Sequence, residues 1–282
     1  MTRLFRPLVF VVLLLACVSN ASIAAAEKYR LVAGTENIAD IVRDLLPDKV
    51  EILTLIPASS CPGHHDIRAS DMAFFTQAEM VVLHMWQRDY PGIPEAVQAA
   101  KLPGEAVLFV ENRGSFLVPE NQIVASKEIA DFLLGLRGVD KDALKARLQD
   151  RIRRITDLAT ESRLALAFCK GTPTLSAAMQ TEFVRWLGLD VVDEYGRAED
   201  LSPGGMIQLV DSGRKAGVLL VVDNLQSGSE AGAPLARELK AAHVGFSNFP
   251  GFSPEAPTYE SLLKLNVRLL QEALTARMQN AS

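Results

Sequence analysis

The chain has 282 residues, a formal net charge of −5 and 49% apolar residues. No segment is rich in lysine and arginine, which argues against nucleic acid as a partner. This length suffices for two modest domains or for one large domain. After residue 26 no run of 18 apolar residues occurs, so we predict no membrane-spanning helix in that part of the chain.

The first 26 residues are arranged like a secretory signal peptide. Two arginines open the segment, residues 8–16 form an apolar run, and three alanines end it, with cleavage expected after the first or the last of them. The apolar run is too short to span a membrane, which takes roughly 20 residues. A second interpretation stays open, because residues 14–17 (Leu-Leu-Ala-Cys) resemble a lipobox and would place a lipid anchor on Cys17. We therefore expect a periplasmic or extracytoplasmic protein, either soluble or lipid-tethered.

Short apolar segments alternate with longer amphipathic segments in the first half of the chain. Apolar runs at residues 29–33, 52–56, 80–85 and 106–110 predict four strands. Residues 36–46 carry apolar side chains at helical spacing, and Pro47 ends that helix. Such alternation predicts a parallel sheet with helices on both faces. The nearly uniform apolar character of the strands agrees with a sheet that is covered on both sides.

A long amphipathic segment interrupts the alternation. Residues 141–163 carry apolar side chains at spacings of three and four, which predicts one helix of roughly 35 Å. The alternation then resumes, with strands predicted at residues 164–169, 191–195, 218–223 and 244–249 and helices at 174–187, 201–216 and 255–278. The predicted fold class is α/β, with two parallel-sheet lobes joined by one long linking helix and a ligand cleft between the lobes. The predicted segments are an N-terminal lobe (27–138), a linking helix (139–163) and a C-terminal lobe (164–282).

In open parallel sheets, ligands bind beyond the carboxyl ends of the strands, so the loops that follow the strands are the candidate site. The loop after the second strand holds Cys61, His64, His65 and Asp66. Thiolate and imidazole are ligands of zinc and of other borderline-soft metals. The alternative for this loop is a turn with histidines on its surface. His84 ends the third predicted strand and is a further candidate ligand, with packing inside the fold as its alternative.

The corresponding loops of the second lobe carry fewer donors. Cys169 is predicted to follow the first strand there, and three interpretations stay open: a metal ligand, a disulfide partner of Cys61, or a buried apolar residue. Polar residues at the ends of the last two strands complete the predicted ligand-binding cleft, together with Asp66; they are Asp223, Asn224, Gln226, Ser247 and Asn248. His243 precedes the last predicted strand and is not expected to reach the cleft.

The order of several short motifs resembles that of the zinc/manganese substrate-binding proteins of ABC transporters (ZnuA- or TroA-like). The motifs are Cys61-Pro62-Gly63-His64-His65-Asp66, Ser70-Asp71, Ala-Glu-Met-Val-Val at residues 78–82, and Pro119-Glu120-Asn121. The last of these resembles the start of that family's Asp-Pro-Glu-Asn helix, and the long linking helix fits as well. The resemblance covers essentially the whole chain after residue 26. It implies capture of a divalent metal in the cleft and delivery to a membrane permease.

The resemblance also implies four metal-ligand positions, usually three histidines and one carboxylate. In this chain they fall at Gly63, near Gly114, near Ala177, and at Ser247 or Asn248, so none is retained. Two alternatives follow. A metal site is rebuilt from Cys61, His64 and His65, with His84 and Cys169 as further candidates. Otherwise the scaffold binds a chelated metal or a small organic solute through polar donors in the second lobe.

The resulting prediction is the exported solute-binding component of an ABC importer, with a divalent transition metal, zinc first, as its cargo. Its expected partners are the permease and the metal ion or small solute, and we expect a monomer that is not an enzyme. Two other functions stay open. Cys61 and His64 would form a thiolate–imidazole pair in a cysteine-dependent enzyme, although such pairs usually converge from distant segments. An adhesin would use the same fold without a filled cleft.

Overall fold

A computed structural model describes residues 28–64, 66–111, 113–228 and 231–281. The predicted signal peptide with Cys17 lies outside the described residues, and so do His65 and the side chain of His64. No helix in the described part of the chain is long and apolar enough to cross a membrane.

The N-terminal lobe is built on a four-stranded parallel sheet in the order β2-β1-β3-β4. Its elements are β1 (Tyr29–Thr35), α1 (Glu36–Leu45), β2 (Val50–Ile56), α2 (Ala69–Phe75), β3 (Met80–His84), α3 (Ile93–Ala100), β4 (Val107–Val110) and α4 (Pro119–Leu134). Successive side chains of a strand point to opposite faces of the sheet. Leu31 and Met80 therefore pack with α1 and α4 on one face, whereas Val32 and Val81 pack with α2 and α3 on the other.

The C-terminal lobe repeats this arrangement with the strand order β6-β5-β7-β8. Its elements are β5 (Pro173–Ala177), α6 (Thr181–Trp186), β6 (Asp190–Tyr195), α7 (Pro203–Ala216), β7 (Leu220–Asn224), α8 (Gly232–Leu239), β8 (Ala242–Phe246) and α9 (Tyr259–Ala281). In both sheets the second strand lies at one edge, beside the first, and the third and fourth follow on the other side. The predicted α/β class with two parallel-sheet lobes is confirmed.

Helix α5 (Lys141–Ala165) joins the two lobes and contributes to both cores. Near its start, Leu144 packs in the core of the N-terminal lobe. Near its end, Ile155 and Leu158 pack in the core of the C-terminal lobe. A helix of 25 residues has a length of roughly 37 Å, so one continuous element reaches from one core to the other.

A cluster of ion pairs holds the middle of α5 against both lobes. Arg151 is only 1% exposed and donates to Asp40 at 2.8 Å and to Asp44 at 2.9 Å, both on α1. Arg154 lies one turn later and donates to Asp44 at 2.6 Å and to Glu260 of α9 at 3.0 Å. The linking helix is thus tied to the first helix of one lobe and to the last helix of the other.

The strand predicted at residues 164–169 is wrong, and so is the helix predicted to begin at residue 174. Helix α5 continues to Ala165, residues 167–169 form a short 3₁₀ turn, and the first strand of the second lobe is β5. The apolar run at residues 164–169 covers the end of this helix and the turn after it. Leu166 and Cys169 pack into the core, whereas Leu164 is 73% exposed. Periodicity alone does not distinguish a short apolar strand from a buried helix end.

Candidate functional site

The carboxyl ends of the two sheets face each other across a cleft of about 580 Å³. Each of the eight strands contributes to its lining at or just after its carboxyl end; examples in chain order are Thr35, Cys61, His84, Gly114, Met179, Arg197, Asn224 and Asn248. This is the position at which open parallel sheets bind ligands. The cleft is therefore the candidate functional site.

An aromatic wall lines the N-terminal side of the cleft. The buried His84 ring stacks on Trp86 with centroids 5.6 Å apart and meets the edge of Phe116 at 4.7 Å. Trp86 in turn meets Tyr90 edge to face at 6.0 Å. Nε2 of His84 shares a 2.8 Å hydrogen bond with the Thr35 hydroxyl. His84 is thus packed and hydrogen-bonded, as one of its two alternatives predicted, and it also lines the cleft; its role as a metal ligand stays a prediction.

The loop after β2 lies on the same side of the cleft. Cys61 is half-buried, is not in a disulfide and lines the cleft together with Pro62. The Tyr90 hydroxyl donates a hydrogen bond to the Pro62 carbonyl oxygen, which ties the loop to the aromatic wall. Asp66 is exposed and does not contribute to the cleft lining. Of the predicted ligands in this loop, the described structure therefore brings the Cys61 thiol into the cleft.

The C-terminal side of the cleft is built on a network of amides. Asn248 donates to Oδ1 of Asn224 at 2.9 Å, and both residues line the cleft. The fully buried Gln180 donates to Oδ1 of Asn248 at 2.9 Å and holds it from behind. Gln226 and Ser247 are buried beside this pair and bond to each other at 2.9 Å. Four of the predicted cleft residues thus belong to one network, in which Asn224 and Asn248 line the cleft, whereas Gln226 and Ser247 lie behind them and do not.

Two hydrogen bonds of this network cross between the lobes. The Gln226 side chain donates to the carbonyl oxygen of Ala58 at 3.0 Å. The Asn37 side chain, at the start of α1, donates to the carbonyl oxygen of Asn248 at 3.2 Å. One bond joins two loops and the other joins the start of α1 to a loop, both at the carboxyl ends of the sheets, so the two lobes are bonded to each other beside the cleft.

Sequence reasoning missed two charged residues at the cleft. Glu182, in the first turn of α6, accepts hydrogen bonds from the Ser115 backbone and from the Asn121 side chain, the latter at 2.8 Å. Arg197, two residues after β6, lies against the first lobe, where a Cβ at Gly63 would be 2.5 Å from its Nη2. Arg197 lies two residues after β6, a strand that the sequence predicted correctly, so the end of that strand could have indicated it. Glu182 lies within the range of the helix that was wrongly predicted to begin at residue 174, so no strand end pointed to it.

Cys169 lies away from the cleft, at the amino end of β5. It is 4% exposed in the core of the C-terminal lobe, and its thiol donates to the Leu166 carbonyl oxygen at 3.1 Å. Burial raises the pKa of this thiol. Both described cysteines are free, so the disulfide interpretation is wrong. The expectation that Cys169 faces the cleft is also wrong, because it depended on the strand that is in fact the end of α5.

Asp223 does not line the cleft, although Asn224 beside it does; it lines a smaller pocket that shares Met179, Arg197 and Asn224 with the cleft. Its carboxylate is 1% exposed and accepts hydrogen bonds from the Tyr195 hydroxyl at 2.7 Å and from Nε2 of His243 at 2.5 Å. Burial, with the Asp223 carboxylate beside it, raises the pKa of Tyr195, so the phenol stays protonated and donates. Asp223 is therefore part of the lobe's internal structure. The sequence analysis placed His243 before the last strand, whereas His243 lies within β8.

The described side chains form no group of three His, Cys, Asp or Glu residues that would hold a metal ion; this statement does not include the side chains of His64 and His65. Gly114 has a φ of +127°, a conformation that side-chain-bearing residues rarely adopt. The position implied for one family ligand is therefore shaped for glycine. A cation held by protein groups alone would need a donor outside the described side chains, and the loop at residues 61–65 is the predicted source.

Taken together, the fold and the cleft define a two-lobed α/β binding protein with one linking helix and an interlobe ligand site. The family model for the periplasmic zinc-uptake complex component A (ZnuA) matches residues 31–273. The chain belongs to this family, and the resemblance predicted from the sequence is confirmed.

Two relatives of the chain are distant from it in sequence. The metal ABC transporter substrate-binding lipoprotein FimA of Streptococcus parasanguinis is 24% identical over 173 residues, which cover 54% of this chain and 56% of FimA. The chain thus matches little more than half the length of that relative. The iron ABC transporter substrate-binding lipoprotein MtsA of Streptococcus pyogenes serotype M1 is 21% identical over 94% of this chain and 95% of MtsA.

Solved structures share the fold. A crystal structure of ZnuA is similar with a TM-score of 0.73 and 16% identity, covering 88% of this chain and 99% of that one. A Mn-bound periplasmic metal-binding protein from Candidatus Liberibacter asiaticus is similar with a TM-score of 0.74 and 12% identity, covering 88% of this chain and all of that one. At these identities the likeness supports the two-lobed architecture alone.

Proposed function

We propose that this protein is the exported solute-binding component of an ABC importer and captures a divalent transition metal in the interlobe cleft. The observation that carries the proposal is the cleft itself, to which all eight strands contribute, in a chain that belongs to a family of periplasmic metal-uptake components. Relatives named for manganese and for iron support a metal as cargo. Zinc is our first candidate, because thiolate and imidazole are its preferred ligands.

The proposed metal donors lie in the loop after β2. Cys61 lines the cleft, and His64 and His65 follow it within four residues. His84 is a further donor, provided that Nε2 exchanges its hydrogen bond with Thr35 for the metal. Asn224 and Asn248 line the cleft from the opposite lobe and would hydrogen-bond to the other ligands of the metal.

The proposed cellular setting follows from the same family. The permease of the importer is the expected partner, and the protein acts outside the cytoplasm as a monomer after removal of residues 1–26 or after lipidation of Cys17. Family membership supports a binding protein and not an enzyme. The Cys61–His64 pair is therefore proposed as a metal-binding pair.

Thermal shift and metal analysis test this proposal. Purified protein should contain near-stoichiometric metal, and adding Zn²⁺, Mn²⁺ or Fe²⁺ to a metal-free sample should raise its melting temperature. At a ligand concentration of 100 Kd, mass action stabilises the folded state by about 2.7 kcal/mol. Protein that carries no metal and is not stabilised by any of these ions, free or chelated, would refute a metal cargo.

Variants of the two cysteines provide a matched comparison. Cys61→Ser should abolish most of the metal-induced shift, because Cys61 lines the cleft. Cys169→Ala should lower the melting temperature of the metal-free protein but leave the metal-induced shift intact, because its thiol lies in the core. Equal shifts in the two variants would exclude Cys61 as a ligand.

A further inference from the structure

The cleft is much larger than a site for a bare ion. Zinc binds its protein donors at about 2.0 to 2.3 Å, so an ion and its ligand atoms need a cage only a few ångströms across. The cleft measures about 580 Å³, within the range of roughly 300 to 1,000 Å³ that is typical of sites for small organic molecules. Its size indicates a cargo that contains more than a metal ion.

The walls of the cleft offer apolar surface that an ion does not use. Trp86 and Met179 both line the cleft from opposite lobes and are 39% and 63% exposed, respectively. Tyr90 and Phe116 extend the aromatic wall beside Trp86. Aromatic and thioether side chains at a binding site contact carbon atoms of a ligand. This surface indicates a cargo with an organic part.

A guanidinium group lines the same cleft. Arg197 lies where a side chain at Gly63, the first ligand position implied by the family resemblance, would be placed. Arginine keeps its charge at any physiological pH and repels a bare divalent cation. Its planar fork matches a carboxylate, which it binds through two parallel hydrogen bonds. Glu199 accepts from Nη1 of Arg197 at 3.5 Å and orients the group from the side.

The donors proposed for the metal all belong to the N-terminal lobe. The second implied ligand position is Gly114, whose φ of +127° favours glycine and whose Cβ position is filled by the Glu182 carboxylate. Glu182 binds the Ser115 backbone and Asn121 across the cleft and thus closes one lobe on the other. A metal bound by Cys61 and His84 would need further ligands, which a second molecule in the cleft can supply.

We propose that the cargo is a transition metal already held by a small organic chelator that carries carboxylate groups. Arg197 binds one carboxylate of the chelator, Trp86 and Tyr90 cover its carbon atoms, and Cys61 supplies a protein ligand to the metal. This inference rests on the proposed function, because it assumes a metal cargo in the interlobe cleft.

Calorimetric titration of the metal-free protein tests this inference with five probes: Zn²⁺ alone, Zn²⁺–citrate, Zn²⁺–bis-histidine, citrate alone and histidine alone. We expect at least one of the two complexes to bind ten-fold or more tightly than Zn²⁺ alone or its own chelator. Arg197→Gln should weaken that complex by about ten-fold or more, because it removes a charged hydrogen bond. Arg214→Gln is the matched control, since Arg214 lies on α7 and pairs with the exposed Glu238. Both variants should keep the melting temperature of the parent.

The outcomes separate the two proposals. If Zn²⁺ alone binds as tightly as the complexes, the chelate inference is overturned and the proposed metal function stands. If a chelator without metal binds as tightly as its complex, or if no probe binds, the chelate inference is overturned, and the metal function is overturned as well only if Mn²⁺ and Fe²⁺ also fail to bind. If a complex binds best but Arg197→Gln binds it as well as Arg214→Gln does, the role of Arg197 as the carboxylate-binding residue is overturned.

Discussion

Replacing Arg151 by methionine should unfold the protein at a markedly lower temperature. Arg151 is 1% exposed and donates to the buried Asp40, to Asp44 and to Ser126. Methionine fills much of the same volume but leaves the Asp40 carboxylate buried without its cation. Asp40 also accepts a hydrogen bond from the backbone of Tyr259 at the first turn of α9, so the loss affects both lobes.

The expected decrease in melting temperature follows from the burial of this ion pair. Removing one partner of a buried pair costs about 3 to 5 kcal/mol, because the other charge is left uncompensated. In a chain of this size, 1 kcal/mol changes the melting temperature by about 2 to 4 °C, so a decrease of about 6 to 20 °C is expected. Arg151→Met together with Asp40→Asn should recover part of this decrease, because the amide carries no charge and still accepts from Tyr259.

The loss of stability in Arg151→Met should depend on pH in a defined direction. Burial raises the pKa of Asp40, and Arg151 opposes that rise. Without the guanidinium the pKa of Asp40 rises further, so the folded variant binds a proton more tightly than the unfolded chain does. Stability then falls as pH increases from the unfolded pKa to the folded pKa of Asp40. The deficit of Arg151→Met should be larger at pH 8 than at pH 5.

Differential scanning calorimetry at the two pH values measures these differences. Arg153→Met is the matched control, because Arg153 lies on the same helix and its pairs with Asp150 and Asp157 are exposed. Exposed pairs contribute about 0 to 1 kcal/mol, so this variant should melt close to the parent. Equal melting temperatures for the two single variants, or a deficit of Arg151→Met that does not change with pH, would refute the reasoning.

Three further changes test other parts of the structure. Tyr195→Phe removes one of two donors to the buried Asp223 carboxylate and should cost about 1 to 3 kcal/mol in urea unfolding; an unchanged midpoint would contradict this. With Cys17 replaced by serine, a thiol reagent should modify Cys61 quickly and Cys169 only after unfolding; two fast thiols would contradict the burial of Cys169. Glu182→Ala should speed hydrogen exchange at the Ser115 amide roughly ten-fold or more, because a charged acceptor is lost; an unchanged exchange rate would contradict the contact.

The sequence predicted most strands because most of them contain consecutive apolar residues. Met80–His84 and Leu220–Asn224 are buried along their whole length, and such runs are visible without a structure. The central strand β5 was missed for the opposite reason. Thr174 and Ser176 are fully buried within it and satisfy their hydroxyls on nearby carbonyl oxygens, so the strand does not look apolar.

The candidate site was predictable only where it depended on strand ends. Cys61, His84, Asn224 and Asn248 line the cleft as the order of strands suggested. Asp223 does not, because neighbouring residues of a strand point to opposite faces. The contact of Arg197 with Gly63 joins residues that are far apart in the sequence, and no local pattern indicates it. Charged residues that bind across the cleft can be identified only from a structure that contains both lobes.

Helix α5 affects how empty and loaded copies of the protein would compete for the proposed permease. Because Arg151 and Arg154 tie it to the first helix of one lobe and the last helix of the other, we expect the proposed cargo to change the overall shape of the protein little. The permease proposed as its partner would then sense the rim of the cleft and not a change in overall shape. Empty copies would occupy the same docking site as loaded ones, so an excess of empty protein should slow uptake.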